Sequence, residues 1–131
     1  MQYMTNKSHD VTAEVVVEFT RHILDKLAEK YGGGITLNEL RVMHQIVVCC
    51  VKDRHCSVTA LYTKTGIPKS TVSRAITSLQ DRGWLSERQD PHDGRKRMIT
   101  LGRRAMEQTS GEINEMIQWI DDYRKFGLPP A

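Results

Sequence analysis

Cysteine, proline, aromatic residues and long apolar runs are all scarce in this 131-residue chain. No apolar run approaches the ~20 residues that cross a bilayer, so no membrane role is expected. Residues 1–10 are polar and mixed, unlike the apolar centre of a signal peptide. The three cysteines, Cys49, Cys50 and Cys56, are an odd number in a tight cluster. That pattern argues against a disulfide framework and for a reducing, cytoplasmic setting. His44, His55 and Cys56 lack standard metal-ligand spacing. There is no Gly-rich phosphate loop, no His-Glu metal motif and no pair of carboxylates on an apolar cleft face, so neither catalytic residues, a metal nor a cofactor is expected. Aromatics make up 6% of the chain. Only Tyr62, Trp84 and Tyr123 are candidates for the exposed aromatic anchors that a protein-interaction module needs.

What is present is ordinary in amount and uneven in placement. Apolar residues make up 39% and charged residues 27%, and a chain of this length buries a core without disulfides or metal. The net charge is +3. From Lys64 to Arg104 there are ten Lys/Arg and four Asp/Glu, a balance of +6, and the remainder carries −3. Such segregation suits either a basic working surface for an anionic polymer or a solvated face without a partner.

Periodicity gives a mainly α chain. Val11, Val15, Phe19, Ile23 and Leu27 are spaced by four, with Val16 and Leu24 widening the stripe, and Gly32-Gly33-Gly34 stops that helix. Thr36 or Asn38 is placed to cap a second helix carrying Leu40, Met43, Ile46, Val47, Cys50 and Val51. Its apolar end, Ile46 to Val51, predicts burial on most sides, with a stop near Lys52-Asp53-Arg54. Ser57 caps a short helix over 58–65 that Gly66 closes. Pro68 starts the next helix, which Gly83 ends. Two strands follow, over 84–88 and 96–101, with Asp93-Gly94 as the hairpin turn. A last helix over 103–123 carries Met106, Ile113, Met116, Ile117 and Ile120. Residues 1–10 are expected to fray, and Gly127, Pro129 and Pro130 finish the chain.

The helices flanking Gly66-Ile67-Pro68 read as a helix-turn-helix. In the second of them, Val72, Ile76 and Leu79 face the core. Ser70, Ser73, Arg74 and Thr77 face away. Small outward side chains let a helix sit deep in a major groove about 12 Å wide. Ser70, Thr71, Ser73 and Thr77 can donate to phosphates or base edges, and Arg74 can pair with guanine through two hydrogen bonds. Lys69, at the helix entrance, suits a phosphate. A purely structural helix gains little from so many Ser and Thr, which are mediocre helix formers. Beside this helix the hairpin tip carries Asp93, Arg95, Lys96 and Arg97, placed for an adjacent minor groove or its phosphates. Asp93 is expected to hold Arg95 or Arg97 by a salt bridge. Cys49 and Cys50 fall where a cysteine packs as a small hydrophobe. Cys56 follows Lys52, Arg54 and His55, cations that lower a thiol pKa, and is the candidate redox site.

Residues 35–106 resemble the MarR family of winged helix-turn-helix regulators. The likeness rests on Ile67 to Arg74 (IPKSTVSR), Leu79 to Leu85 (LQDRGWL) and Asp90 to Leu101 (DPHDGRKRMITL). It implies a mainly α winged helix-turn-helix fold with a small β-hairpin wing and with dimerisation helices at both termini. The organisation is then one structural domain with three parts. Residues 1–34 supply the first dimerisation helix and the Gly-rich joint, residues 35–101 the DNA-binding lobe, and residues 102–131 the last dimerisation helix. The resemblance further implies a cytoplasmic homodimer on a pseudo-palindromic double-stranded DNA operator, commonly a repressor, released by a small phenolic or lipophilic effector or by an oxidant. His22, Met43 and Trp119 are candidates for lining an effector pocket. The apolar stripes of the terminal helices suit an intrachain core as well as a dimer interface. Two other readings stand beside it, a winged-helix interaction module without DNA binding and a cysteine redox-sensing variant. The chain departs from the family pattern in Gly102, where a helix-capping Thr is usual, in Ala105, where Gly is usual, and in the bulky Tyr62.

Overall fold

The computed structural model describes residues 10–52 and 56–128. The expectations for residues 1–9, for Asp53, Arg54 and His55, and for Pro129 and Pro130 lie outside the described residues. Five helices and three strands follow one another as α1 (Ala13–Tyr31), α2 (Leu37–Val51), β1 (Cys56–Ser57), α3 (Val58–Thr65), α4 (Lys69–Asp81), β2 (Leu85–Gln89), β3 (Arg97–Leu101) and α5 (Arg103–Phe126). The strands form one antiparallel sheet in the order β1-β3-β2.

Local chemistry sets the helix limits. Thr12 caps α1 by accepting from the Val15 N–H at 3.3 Å. Gly32, at φ +60°, ends the helix in the left-handed conformation that favours glycine. Thr36 and Glu39 form a reciprocal capping box at the start of α2, with both bonds at 3.1 Å. Ser57 accepts from the Ala60 N–H at 3.0 Å to start α3. Pro68 occupies the cap position of α4, one residue earlier than the first-turn position its fixed φ suggests.

The chain divides into two compact units: α1 with the part of α5 from Gly111 onward, and Ile35–Ser110. In the second unit Val42 and Ile46 of α2, Leu61 of α3, Val72, Ile76 and Leu79 of α4 and Ile99 of β3 are fully enclosed. Truncating such a side chain to alanine costs about 2–5 kcal/mol. The last turn of α2 departs from the expected burial, since Val51 is 68% exposed. In the first unit α1 and α5 are tied by Lys30–Glu112 at 3.1 Å and Lys26–Glu115 at 3.3 Å. Phe19 and Trp119 meet at a centroid distance of 5.1 Å. Among the described residues of that unit only Val15 and Tyr123 are buried, while Val16, Val17, Leu24, Ile117 and Phe126 are exposed.

Two features correct the sequence reading. The two-residue strand β1 has too few residues for a visible alternation, yet it pairs with β3 through Cys56↔Ile99 and Ser57↔Met98. That pairing carries Cys56 back against the last turns of α2, where it forms a disulfide with Cys49 across a Cα–Cα distance of 6.0 Å. The cysteines are therefore not all reduced thiols. Cys50 is the free one, and Cys56 is fully buried.

Gly102 has a steric cause. Its N–H donates to the Trp84 carbonyl at 2.8 Å, which draws the β3–α5 junction onto the turn after α4. A Cβ at position 102 would stand 2.7 Å from the Gly83 carbonyl oxygen. Gly102→Thr would supply the missing cap but force that contact apart, an overpacking cost of about 1–3 kcal/mol. The variant is expected to unfold at a lower denaturant midpoint than the native protein, with Gly102→Ala also destabilised. An unchanged or higher midpoint for Gly102→Thr would contradict the steric account.

Candidate nucleic-acid interface

Helix α4 separates its side chains cleanly. Val72, Ala75, Ile76 and Leu79 are buried, Lys69, Ser70, Arg74 and Thr77 are exposed, and Thr71 and Ser73 are half-buried. Four of the six residues read from the sequence thus face outward, and Thr71 and Ser73 are half-buried beside them. Ser73, Arg74, Thr77, Ser78, Asp81 and Arg82 line an open groove along α4. Arg74 reaches Thr71 Oγ1 only at 3.5 Å, and among the described residues it forms no ion pair, so its guanidinium is available. The Thr77 hydroxyl donates to the Ser73 carbonyl at 3.1 Å and keeps its lone pairs outward. The entry to α4 is fixed from behind. Thr65 Oγ1 accepts from the Ile67 N–H at 3.2 Å, and Gly66 turns at φ +73°.

In the hairpin the acidic residues build turns. Asp93 Oδ1 accepts the backbone N–H of Arg95 at 3.1 Å, and the Asp93 carbonyl accepts from the Lys96 N–H at 3.0 Å. Asp90 Oδ1 accepts the His92 N–H at 2.8 Å, which lowers the Asp90 pKa. Asp93 therefore shapes the loop through backbone bonds, and the expected salt bridge to Arg95 or Arg97 does not form. Arg97 instead donates to Glu87 through Nη2 at 2.9 Å and also through Nε. Glu87 Oε2 additionally accepts from Gln80 Nε2 of α4 at 2.9 Å. One carboxylate thus ties α4, β2 and β3 together, and it engages Arg97. Arg95 and Lys96 are exposed at the tip.

Glu87 escaped the sequence reading because its role depends on strand register. With Glu87 opposite Ile99, Arg97 is the diagonal neighbour two positions along, within reach of a long side chain on the same face. Arg82 was also missed. Its guanidinium sits 5.4 Å from the Trp84 ring centroid, and it borders the groove beside Arg74. Arg41 of α2 donates to the Thr65 carbonyl at 2.6 Å and so braces the end of α3. Of the proposed pocket residues, Met43 is 2% exposed within the core of the lobe. Trp119 lies among Phe19, His22 and Tyr123.

Residues 33–96 match the MarR family model. Over that segment, just under half of its length, the chain is similar to the MarR family. Solved structures of similar fold include MepR of S. aureus in complex with DNA, at 12% identity over 86% of each chain with a TM-score of 0.62. A transcriptional regulator from Thermotoga maritima aligns at 21% identity over 83% of this chain and 75% of its own, with a TM-score of 0.58. PcaV from Streptomyces coelicolor, solved with its natural ligand, aligns at 18% identity over 88% of this chain and 82% of its own, with a TM-score of 0.51. These likenesses establish the winged-helix fold. No curated protein sequence matches the chain. MarR-family proteins are transcriptional regulators rather than enzymes. The family departure at Tyr62 is accommodated by half-burial against the lobe core.

Arg97, then Gln80, hold the Glu87 carboxyl down from an ordinary 4.5 to about 2, against the opposing effect of burial. A depressed folded-state pKa means that the stability this group contributes is fully present above pH 4.5. It is lost as the pH falls from there toward about 2. Carboxyl-detected NMR titration should place the Glu87 midpoint near 2 in the native protein and return it toward its ordinary value in Arg97→Ala. An ordinary midpoint in the native protein would contradict the clamp.

Proposed function

We propose that this chain is a sequence-specific, DNA-binding transcriptional regulator, a repressor, that acts as a homodimer on a pseudo-palindromic operator. The observation that carries the reading is the outward face of α4. It offers hydroxyls and Arg74, which forms no ion pair among the described residues, together with a wing tip with exposed Arg95 and Lys96. In this reading α4 enters the major groove. Arg74 pairs with a guanine, Ser70, Thr71 and Ser73 reach base edges or phosphates, Thr77, whose proton goes to the Ser73 carbonyl, accepts from a base-edge donor, and Lys69 meets the backbone. Arg95 and Lys96 grip the minor groove or its phosphates, while Asp93 and the Glu87–Arg97 clamp hold the wing in shape.

A second copy of the chain is the natural cover for α1 and α5. The unit formed by α1 and α5 from Gly111 onward buries only Val15 and Tyr123 among its described residues and leaves Val16, Val17, Leu24, Ile117 and Phe126 exposed, which retains apolar surface for a partner. Two lobes would also read two half-sites, which supplies the specificity that one winged unit lacks. Among the described residues no helix is long and apolar enough to cross a membrane, and we place the protein in the cytoplasm, where its DNA would be. Release by a small phenolic or lipophilic effector belongs to the same proposal, supported by the ligand complex of PcaV. The interaction-module reading loses its three aromatic candidates, since Tyr62 and Trp84 are half-buried and Tyr123 is buried, and the exposed Phe126 lies in the helical unit assigned to the second copy.

Selection from a random-sequence DNA pool at two salt concentrations tests this reading. The expected result is a pseudo-palindrome with half-sites about ten base pairs apart, bound with an affinity that falls steeply with salt. Arg74→Ala should relax base preference at one position per half-site, by about 1–3 kcal/mol. Lys96→Ala should weaken all sequences about equally. Recovery of no motif, with binding gone at moderate salt, would overturn the regulator reading.

The Cys49–Cys56 disulfide favours a second, compatible reading, a redox-responsive form of the same regulator. The bond ties the end of α2 to β1, and β1 pairs with wing strand β3. A dithiol reductant should raise the free thiols from one to three and change affinity for the selected site. Superimposable binding curves before and after that change would remove the redox reading.

A further inference from the structure

We propose that Glu39 is a positioning residue for α4, holding it through Ser78 so that Arg74 keeps its reading direction; this rests on α4 being the DNA-reading helix. Glu39 is only 8% exposed. It uses its two oxygens on two different elements. Oε1 accepts the Thr36 backbone N–H at 3.1 Å and completes the cap of its own helix. Oε2 accepts the Ser78 hydroxyl of α4 at 2.8 Å. Ser78 lies four residues after Arg74, one turn along the same face of α4.

The rest of the seat of α4 is apolar: Val72, Ala75, Ile76 and Leu79. Apolar burial is non-directional, so it fixes which face goes inward more firmly than it fixes small rotations or slides. Hydrogen bonds supply that direction. Among the described residues, the side-chain ties from α4 to other elements are Gln80 to Glu87 near its end and Ser78 to Glu39 one turn below Arg74. Burial pushes the Glu39 carboxyl up. The bonds from Ser78 and Thr36, with the Arg82 charge nearby, outweigh it and leave the pKa lowered. The group stays ionised at neutral pH, an acceptor at both oxygens, and a hydrogen bond to a charged acceptor is stronger than a neutral one.

The test is a double-mutant cycle on Glu39→Gln and Ser78→Ala. It reads the ratio of affinity for the selected site to affinity for a scrambled duplex of the same length and salt. Each single change should lower the ratio roughly tenfold, and the double variant should lower it no further. Ser78→Thr, which keeps the hydroxyl, should retain the ratio. Thr36→Ala removes the hydroxyl that accepts the Glu39 N–H and leaves both bonds to the Glu39 carboxylate in place, so it should lower the unfolding midpoint and leave the ratio unchanged. Additive losses would mean that Ser78 touches DNA independently and would overturn the inference. So would an unchanged ratio in Glu39→Gln, or a ratio that falls with stability in Thr36→Ala. A native protein with no preference between the two duplexes would overturn the regulator reading itself, and this inference with it.

Discussion

A helix that buries Val72, Ala75, Ile76 and Leu79 has no freedom over which side chains it turns outward. That constraint organises the lobe. Enclosed Val42 and Ile46 of α2, Leu61 of α3 and Ile99 of β3 form the floor, and the outward row of Lys69, Ser70, Arg74 and Thr77 is its geometric consequence. Apolar burial of this kind is strong but undirected. The polar ties at Ser78 and Gln80 therefore matter more than their number suggests, because each fixes a turn of α4 against a different neighbour.

The basic charge of the region is divided between two tasks. Arg97 is held by Glu87 and stiffens the hairpin, Arg82 lies against Trp84, and Arg41 braces the end of α3. Arg74, Arg95 and Lys96 remain outward. A count of positive residues overstates the working surface for this reason. An arginine already paired with a carboxylate neutralises less of a phosphate backbone than a free one, and only free cations contribute fully to salt-dependent binding.

Much of this was legible in the sequence because the signals are local. Ser57 and Gly66 bracket α3 at its observed bounds, and the apolar spacing of Val72, Ile76 and Leu79 gave the orientation of α4 correctly. What escaped depends on chain return. Strand β1 is two residues long and is defined by its partner β3 rather than by its own pattern. The Cys49–Cys56 bond follows from that pairing. The sequence alone points Asp93 at Arg95 or Arg97, and Arg97 goes to Glu87 instead, since diagonal cross-strand neighbours appear only once register is known. Gly102 looked like a lost cap and is instead a place where a side chain would meet the Gly83 carbonyl. Glu39 carries no local signal for its role, because its second oxygen finds Ser78 only through tertiary packing.

The proposed function depends on the outward face of α4 reading bases through Arg74. Guanine-methylation interference on a bound operator, run with the native protein and with Arg74→Ala, tests it most directly. Methylation at N7 blocks an arginine that pairs with that edge of guanine. The account requires one guanine in each half-site whose methylation abolishes native binding but leaves residual binding by Arg74→Ala unaffected. An interference pattern identical for the two proteins would mean that Arg74 reads no guanine and would contradict the account.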